Sequence, residues 1–335
     1  MIAFGPVPSR RLGRSLGINN IPPKLCTYSC VYCQLGRTLD MVAERRRFYG
    51  PEAILRDVTR KLEDARAAGE PVDYLTFVPD GEPTLDRDLE REIDALKVFG
   101  IDIAVIANGS LIWREDVRSA LTKADWVSVK VDAAHEDIWR RVDRPHGALH
   151  LADIHAGLIA FARGFTGFLA TETMLVEGVN DSEEQLAEVA ELLAQVKPGA
   201  TYLSIPIRPP AEAWARPPTE DVLNRAYHIL SAATDWVEYL IGYEGNEFAF
   251  TGDVEQDLLA ITAVHPMRDD AVEQVLAQAG ATWQVVGDLL ARGSLAETEY
   301  AGHGFYLRRW ARTSPRGQAE DGEAPEGVDT PVTGE

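Results

Sequence analysis

Cysteine is scarce in this chain of 335 residues: there are three, Cys26, Cys30 and Cys33, all within eight positions. An odd, clustered set excludes a disulfide framework. Thiols gathered this closely point instead to metal or redox chemistry in a reducing compartment. Long apolar runs are lacking too; none approaches the ~18 residues of a membrane span. Residues 1–14 contain no apolar segment of the kind a signal peptide needs. A cytoplasmic location and no membrane partner are therefore expected. Basic charge is in deficit as well. The 33 Lys and Arg against 53 Asp and Glu leave a net charge of −20, which opposes broad nucleic-acid binding and speaks against DNA. What remains, 45% hydrophobic and 26% charged with 27 Gly and 19 Pro, is the composition of a globular protein.

The charge is uneven. Residues 1–50 hold eight Lys or Arg and two Asp or Glu, so the cysteines sit in the one basic stretch of an acidic chain. Arg10, Arg11, Arg14, Arg37, Arg45, Arg46 and Arg47 flank them. They could hold a phosphate-bearing substrate, RNA included; the alternative is that they pair with the acidic excess.

From residue 51 helix and strand patterns alternate. Pro51 can open a helix, with Ile54, Leu55, Val58 and Leu62 as its apolar face. Buried strands are expected over 74–78, 101–107, 126–132, 167–176 and 202–207, after one near 15–19. Helices are expected over 88–99, 114–121 and 151–162. Ser182 to Gln185 reads as a capping box before another. Repeated βα units imply a parallel sheet with right-handed crossovers. About six of them fall short of the eight of a closed barrel. The expected fold is α/β: a partial TIM-like (β/α)6 barrel over 1–235, with ligand sites just after the strands. A small unit over 236–310, with helices and a hairpin, reads as winged-helix-like, and 311–335 as a disordered acidic tail.

Chemistry concentrates in Cys26-Thr-Tyr-Ser-Cys30-Val-Tyr-Cys33. Thiolates select zinc or iron–sulfur clusters. Structural zinc has four protein ligands, and no fourth cysteine exists; a [4Fe–4S] cluster with one iron free of protein fits that arithmetic. Zinc completed by a distant His is the alternative. Asp80-Gly81-Glu82-Pro83-Thr84 follows directly on an expected strand. There Gly81 would let the backbone approach a ligand, and Glu82 could accept from an ammonium. Asn108-Gly109 ends the next strand. Ser128, Lys130 and Asp132 share one face of theirs and Val127, Val129 and Val131 the other. A polar row inside a half-barrel is costly unless it binds something. Glu172 shares a face with Ala170 and Met174 and is expected to point inward. Gly178-Val-Asn180-Asp181 is either a plain turn or part of a site.

The cysteine motif, with Tyr32 before its last cysteine, resembles the C-x3-C-x-aromatic-C signature of the radical S-adenosylmethionine (SAM) superfamily. The resemblance implies a [4Fe–4S] cluster on Cys26, Cys30 and Cys33 and SAM on the fourth iron. It also implies reductive cleavage of SAM to a 5′-deoxyadenosyl radical, and an electron donor such as flavodoxin or ferredoxin. Gly81-Glu82 resembles the family's GGE motif, with Asp80 in place of the first Gly, and so implies that Glu82 binds the SAM amino group. By the same likeness Tyr32, Asn108, Ser128, Lys130 and Asp132 would face the cofactor, and Asn180 its adenine side.

Phe4 to Asn19, Gly81 to Thr84, Asp143-Arg-Pro145, Gly178 to Asp181 and Arg208-Pro-Pro210 narrow the likeness to one group. It is often labelled wyosine-base tRNA synthetase-like or Fe–S oxidoreductase, and the likeness spans roughly residues 1–235. It implies tRNA as a candidate substrate. Enzymes that build the tricyclic base from pyruvate carry a second three-cysteine cluster, and this chain has no cysteines for one. Lys24 and Lys130 are the candidates for a carbonyl-binding lysine. The unit after 250 has nine Asp or Glu against four Arg over 251–310. It suits a protein-contact or substrate-covering role better than DNA. The competing reading is a non-catalytic iron–sulfur redox sensor acting through that unit.

Overall fold

A computed structural model describes residues 2–241, 248, 250 and 252–309; the expected tail at 311–335 lies outside them. Ten strands precede residue 241: β1 (Ala3–Ser9), β2 (Gly13–Ile18), β3 (Leu25–Cys26), β4 (Asp40–Met41), β5 (Tyr74–Phe77), β6 (Asp102–Ala107), β7 (Trp126–Lys130), β8 (Phe168–Met174), β9 (Ala200–Ser204) and β10 (Val237–Leu240). Eight form one sheet in the order β1-β2-β5-β6-β7-β8-β9-β10, and β3 pairs with β4. Only β1 runs antiparallel to its neighbour; β2 to β10 are all parallel. The six expected strands are the centre of this sheet, and β1 and β10 extend it at the edges. In the sequence β1 reads as loop because Gly5, Pro6 and Pro8 interrupt it, and an edge is where proline is tolerated. The two edges do not pair with each other, so the barrel is open.

Seven helices cross between the strands: α1 (Pro51–Ala67), α2 (Leu89–Leu96), α3 (Glu115–Leu121), α4 (Glu136–Val142), α5 (Leu151–Gly164), α6 (Glu183–Val196) and α7 (Glu220–Ser231). In α1, Pro51 takes the first position after Gly50, and Ile54, Val58 and Ala65 are buried. The capping box at α6 forms, Ser182 accepting from the Gln185 amide. The short α4 was not legible as a helix. Strand alternation divides the core in two. Val127, Val129 and Val131 face the helices, while Trp126, Ala170, Ala200 and Tyr202 face inward around Leu12. The β1–β2 turn thereby plugs the barrel floor, with the Arg11 guanidinium 5.9 Å from the Trp126 ring centre and 5.8 Å from that of Tyr202.

The C-terminal unit contains α8 (Val254–Ile261), β11 (Met267–Arg268), α9 (Asp269–Gln278), α10 (Gln284–Ala291), β12 (Leu295–Tyr300) and β13 (His303–Arg308). The expected helices and hairpin are there. The unexpected β11 joins the hairpin in a sheet ordered β11-β13-β12. Leu258, Met267, Val275, Leu289 and Leu295 give the unit its own core. Among the described residues no helix is long and apolar enough to cross a membrane.

Candidate cluster and cofactor site

The cysteine loop is stitched to the C-terminal mouth of the barrel by its backbone. The Glu82 amide donates to the Leu25 carbonyl at 3.2 Å and the Lys24 amide to the Asp80 carbonyl at 2.7 Å. On the far side the Val31 amide donates to Val142 and the Ser29 amide to Asp143. Gly81 is required by this contact: a Cβ there would lie 1.9 Å from the Leu25 carbonyl oxygen. Any other residue would separate the loop of Cys26 from the loop of Glu82.

The three thiols are half-buried and close enough to raise one another's pKa. Burial is the larger cause, pushing Cys26 up to about 12 and Cys30 and Cys33 upward too. Without a cofactor all three are therefore protonated, and the Cys30 thiol donates to Asp143 Oδ1 at 3.3 Å. Metal binding would displace these protons. Among the described residues no group of three or more His, Cys, Asp or Glu converges as a single metal ion requires. A cubane differs in that each thiolate ligates its own iron at a separate corner. The donor set is all-sulfur and threefold on one short loop, the chemistry an iron–sulfur cluster takes.

Glu82 follows β5 and is fully buried. It accepts from the Asn108 amide at 2.6 Å, the Thr84 amide at 3.1 Å and the Thr84 hydroxyl. Each donor is neutral. Desolvation wins over these bonds and lifts the Glu82 carboxyl to about 7. A buried carboxylate beside the cysteine loop, held by neutral donors alone, suits a cationic ligand group. The Asn108 side chain braces the same corner. It donates to the Thr27 hydroxyl at 2.8 Å, lies 3.6 Å from Cys26 Sγ, and accepts from the Ser110 amide.

Across the mouth the polar row forms as expected, with Lys130 and Glu172 in register on β7 and β8. Glu172 accepts from Lys130 and Arg11, each at 2.6 Å, and from the Ser204 hydroxyl at 2.8 Å. The two cations hold its carboxyl well below the usual range despite burial. Lys130 also lies over the Tyr32 ring, 5.2 Å from its centre. The Tyr32 hydroxyl donates to Asp132, with Asp143 at 3.3 Å. Burial and mutual repulsion push the Asp143 carboxyl well up.

Cys26, Cys30, Cys33, Tyr32, Gly81, Glu82, Asn108, Lys130 and Asp132 thus meet at one mouth. Ser128 lies lower on β7 and is buried. Asn180 is engaged within the protein. Its amide donates to the Asp132 and Met174 carbonyls and accepts from the Val176 amide, so it clasps the ends of β7 and β8. Sequence reasoning missed Thr27 as part of the site, read Arg11 as a candidate phosphate ligand and not as the partner of Glu172, and saw Asp143 only within a motif. The signal lies in long-range partners, which spacing does not reveal. The basic stretch also resolves. Ion pairs with carboxylates outside residues 1–50 include Arg11–Glu172, Arg14–Glu70, Lys24–Asp80, Arg37–Glu212, Arg45–Asp116 and Arg47–Asp88. Arg45, read as a candidate phosphate ligand, is buried and donates to the Thr84 and Asp86 carbonyls, because the loop after Glu82 closes over it.

Residues 20–190 match the model of the radical SAM superfamily, and the chain belongs to that family. Its members use a [4Fe–4S] cluster and SAM. Among curated relatives, the UPF0026 protein MJ1312 of Methanocaldococcus jannaschii is 46% identical over 309 residues, covering 92% of this chain and 96% of that protein. A UPF0026 protein of Helicobacter pylori is 34% identical over 211 residues, covering 62% of this chain and 67% of its own length. Of solved structures, TYW1 with a lysine–pyruvate adduct bound aligns with a TM-score of 0.50 at 16% identity, covering 66% of this chain and 74% of that one. At that identity the likeness is one of fold. The residues present fit the family's cofactors: three thiols on one short loop, and a buried acid held by neutral donors.

Proposed function

We propose that this chain is an enzyme that reductively cleaves SAM, with Cys26, Cys30 and Cys33 as cluster ligands and Glu82 as receptor for the SAM ammonium. The observation that carries the reading is Glu82 itself: fully buried, held by neutral donors, and fastened by its own amide to the loop of Cys26. Bound there, the cluster and SAM supply one-electron cleavage of the sulfonium and a 5′-deoxyadenosyl radical. The protein's residues orient and shield. Asn108 and Thr84 aim the Glu82 carboxylate, and Gly81 keeps that loop against the cysteines. Lys130 and Asp132 line the opposite wall, and Leu12 with Arg11 seals the floor against water. The electron donor belongs to the flavodoxin or ferredoxin class. The relevant experiment reconstitutes the protein anaerobically and follows 5′-deoxyadenosine release. About four irons per chain and release that needs reductant support the reading; zinc alone, without a chromophore, overturns it. For the substrate, tRNA is the first class to screen on family resemblance, with peptides and small molecules beside it; stimulated release identifies the class.

A further inference from the structure

The barrel is open between its edge strands β1 and β10, and the C-terminal unit contacts the β1 side and the loop after β9. On one side Ala260, Ala263 and Val264 pack on Phe4 of β1, and Lys61 of α1 pairs with Asp257 of α8 at 3.2 Å. On the other side the Tyr300 hydroxyl donates to the Pro206 carbonyl, just after β9. Between them lies a polar knot of three segments. Gln34, the residue after Cys33, donates from Nε2 to the Val264 carbonyl at 3.1 Å. Its Oε1 accepts from Arg208 Nη1 at 2.8 Å. Arg208 Nη2 lies 2.9 Å from His265 Nε2. A guanidinium only donates, so His265 accepts there. Arg208 and His265 are both buried. One amide side chain, adjacent to a candidate cluster ligand, is therefore held from both ends by groups outside its own loop.

We propose that Arg208 and His265 are positioning residues for the cysteine loop. They clamp Gln34, and through it the backbone after Cys33, onto the C-terminal unit, which serves as the missing wall of the half-barrel. The proposal rests on the three cysteines being the cluster ligands. It gives a role to the Arg208-Pro-Pro210 motif and explains why an acidic unit with its own core is joined to the barrel. Substrate then enters over the strand ends and not through the lateral gap.

The test has two arms. The first is hydrogen exchange of the metal-free protein, read at the amides of residues 33–38 in wild type, Arg208→Met, His265→Leu and His265→Gln. Loss of the clamp should speed exchange there about five-fold in the first two variants, as expected for one hydrogen bond. Exchange in β6 and β7 should stay unchanged. His265→Gln keeps an acceptor for Arg208 and should restore the wild-type rate. The second arm follows bleaching of the reconstituted cluster by a chelator, which should accelerate by a similar factor in the same two variants and recover in the third. Wild-type exchange at 33–38 in Arg208→Met and His265→Leu overturns the clamp, whatever the cluster does. A wild-type protein that takes up no cluster overturns the functional reading, while the first arm still decides the clamp.

Discussion

Two buried glutamates, Glu82 just after β5 and Glu172 on β8, have opposite surroundings. Glu172 is bonded to Lys130, Arg11 and Ser204. Its charge is answered within the protein, and its pKa is held down. Glu82 has three bonds from neutral donors, and its pKa is pushed up to about 7. Under the proposed function the difference separates a structural carboxylate, Glu172, from the proposed receptor, Glu82. A fully answered charge fixes the fold and gains nothing from a ligand; an unanswered one gains most from a ligand that brings the missing countercharge. The same contrast explains why Lys130, on the polar row, is committed to its neighbour before any ligand arrives.

The largest expected effect isolates the Glu82 side altogether. Cys30→Ala should abolish both iron uptake and 5′-deoxyadenosine release, while urea unfolding of the metal-free protein stays near wild type. Next comes Glu172→Gln, which takes from Arg11 and Lys130 the carboxylate they share. It should cost about 3–5 kcal/mol of stability, the usual effect of orphaning a buried charge, read from the urea midpoint. A silent Glu172→Gln would erase the contrast between the two glutamates.

Glu82→Gln should behave the other way. The cluster should assemble, and SAM affinity should fall by about ten- to a hundred-fold on loss of a charge-assisted bond, measured by equilibrium dialysis. The metal-free protein supplies an independent check through pH. Folded Glu82 titrates at about 7 against a usual 4.5. Between those values the native state holds a proton that the unfolded state has lost. Stability contributed by this group is therefore complete below about 4.5 and declines as pH rises to about 7, by up to about 3 kcal/mol. The wild type minus Glu82→Gln difference should show that decline and then level off. A flat difference curve would mean that Glu82 is better solvated than its burial implies.

What the sequence made legible was local. The cysteine spacing, the Gly81-Glu82 turn at a strand end and the alternation of Val127 to Asp132 all depend on neighbours a few residues apart. The six central strands followed from the same periodicity, and the placing of the candidate site at their C-terminal ends followed from parallel topology. The illegible part was partnership over distance. Arg11 meets Glu172 across 161 positions, and Cys30 meets Asp143 across 113. No pattern within either segment encodes the other. β1 was hidden by its prolines, and β10 by lacking the buried apolar run of the central strands, since three of its four residues are only half-buried at the sheet edge. The C-terminal unit was visible as helices and a hairpin, but its seat on Gln34 depends on the Arg208 side chain 174 positions away and the Val264 carbonyl 230 positions away.

The smallest expected effect concerns the arginines that made the N-terminal stretch look like an anion site. Arg45 and Arg47 are two residues apart and differ as the two glutamates do. Arg45 is 4% exposed and donates to the Thr84 and Asp86 carbonyls and to Asp116. Arg47 has a side chain 73% exposed, paired with Asp88 at 3.4 Å. Arg45→Ala removes partners from buried carbonyls in the Glu82 loop and should cost about 2–3 kcal/mol. Arg47→Ala breaks only a surface pair and should stay within about 0.5 kcal/mol of wild type. A triple change of Arg45, Arg46 and Arg47 would therefore confuse loss of fold with loss of binding, and Arg47→Ala alone is the clean probe of an anionic substrate. If tRNA binds across this stretch, Arg47→Ala should weaken it and lower the slope of log affinity against log salt by about one. If the acidic body excludes it, binding at low salt is unchanged by the substitution. The stretch is then a set of internal tethers for the cysteine loop, and the substrate is sought among smaller molecules.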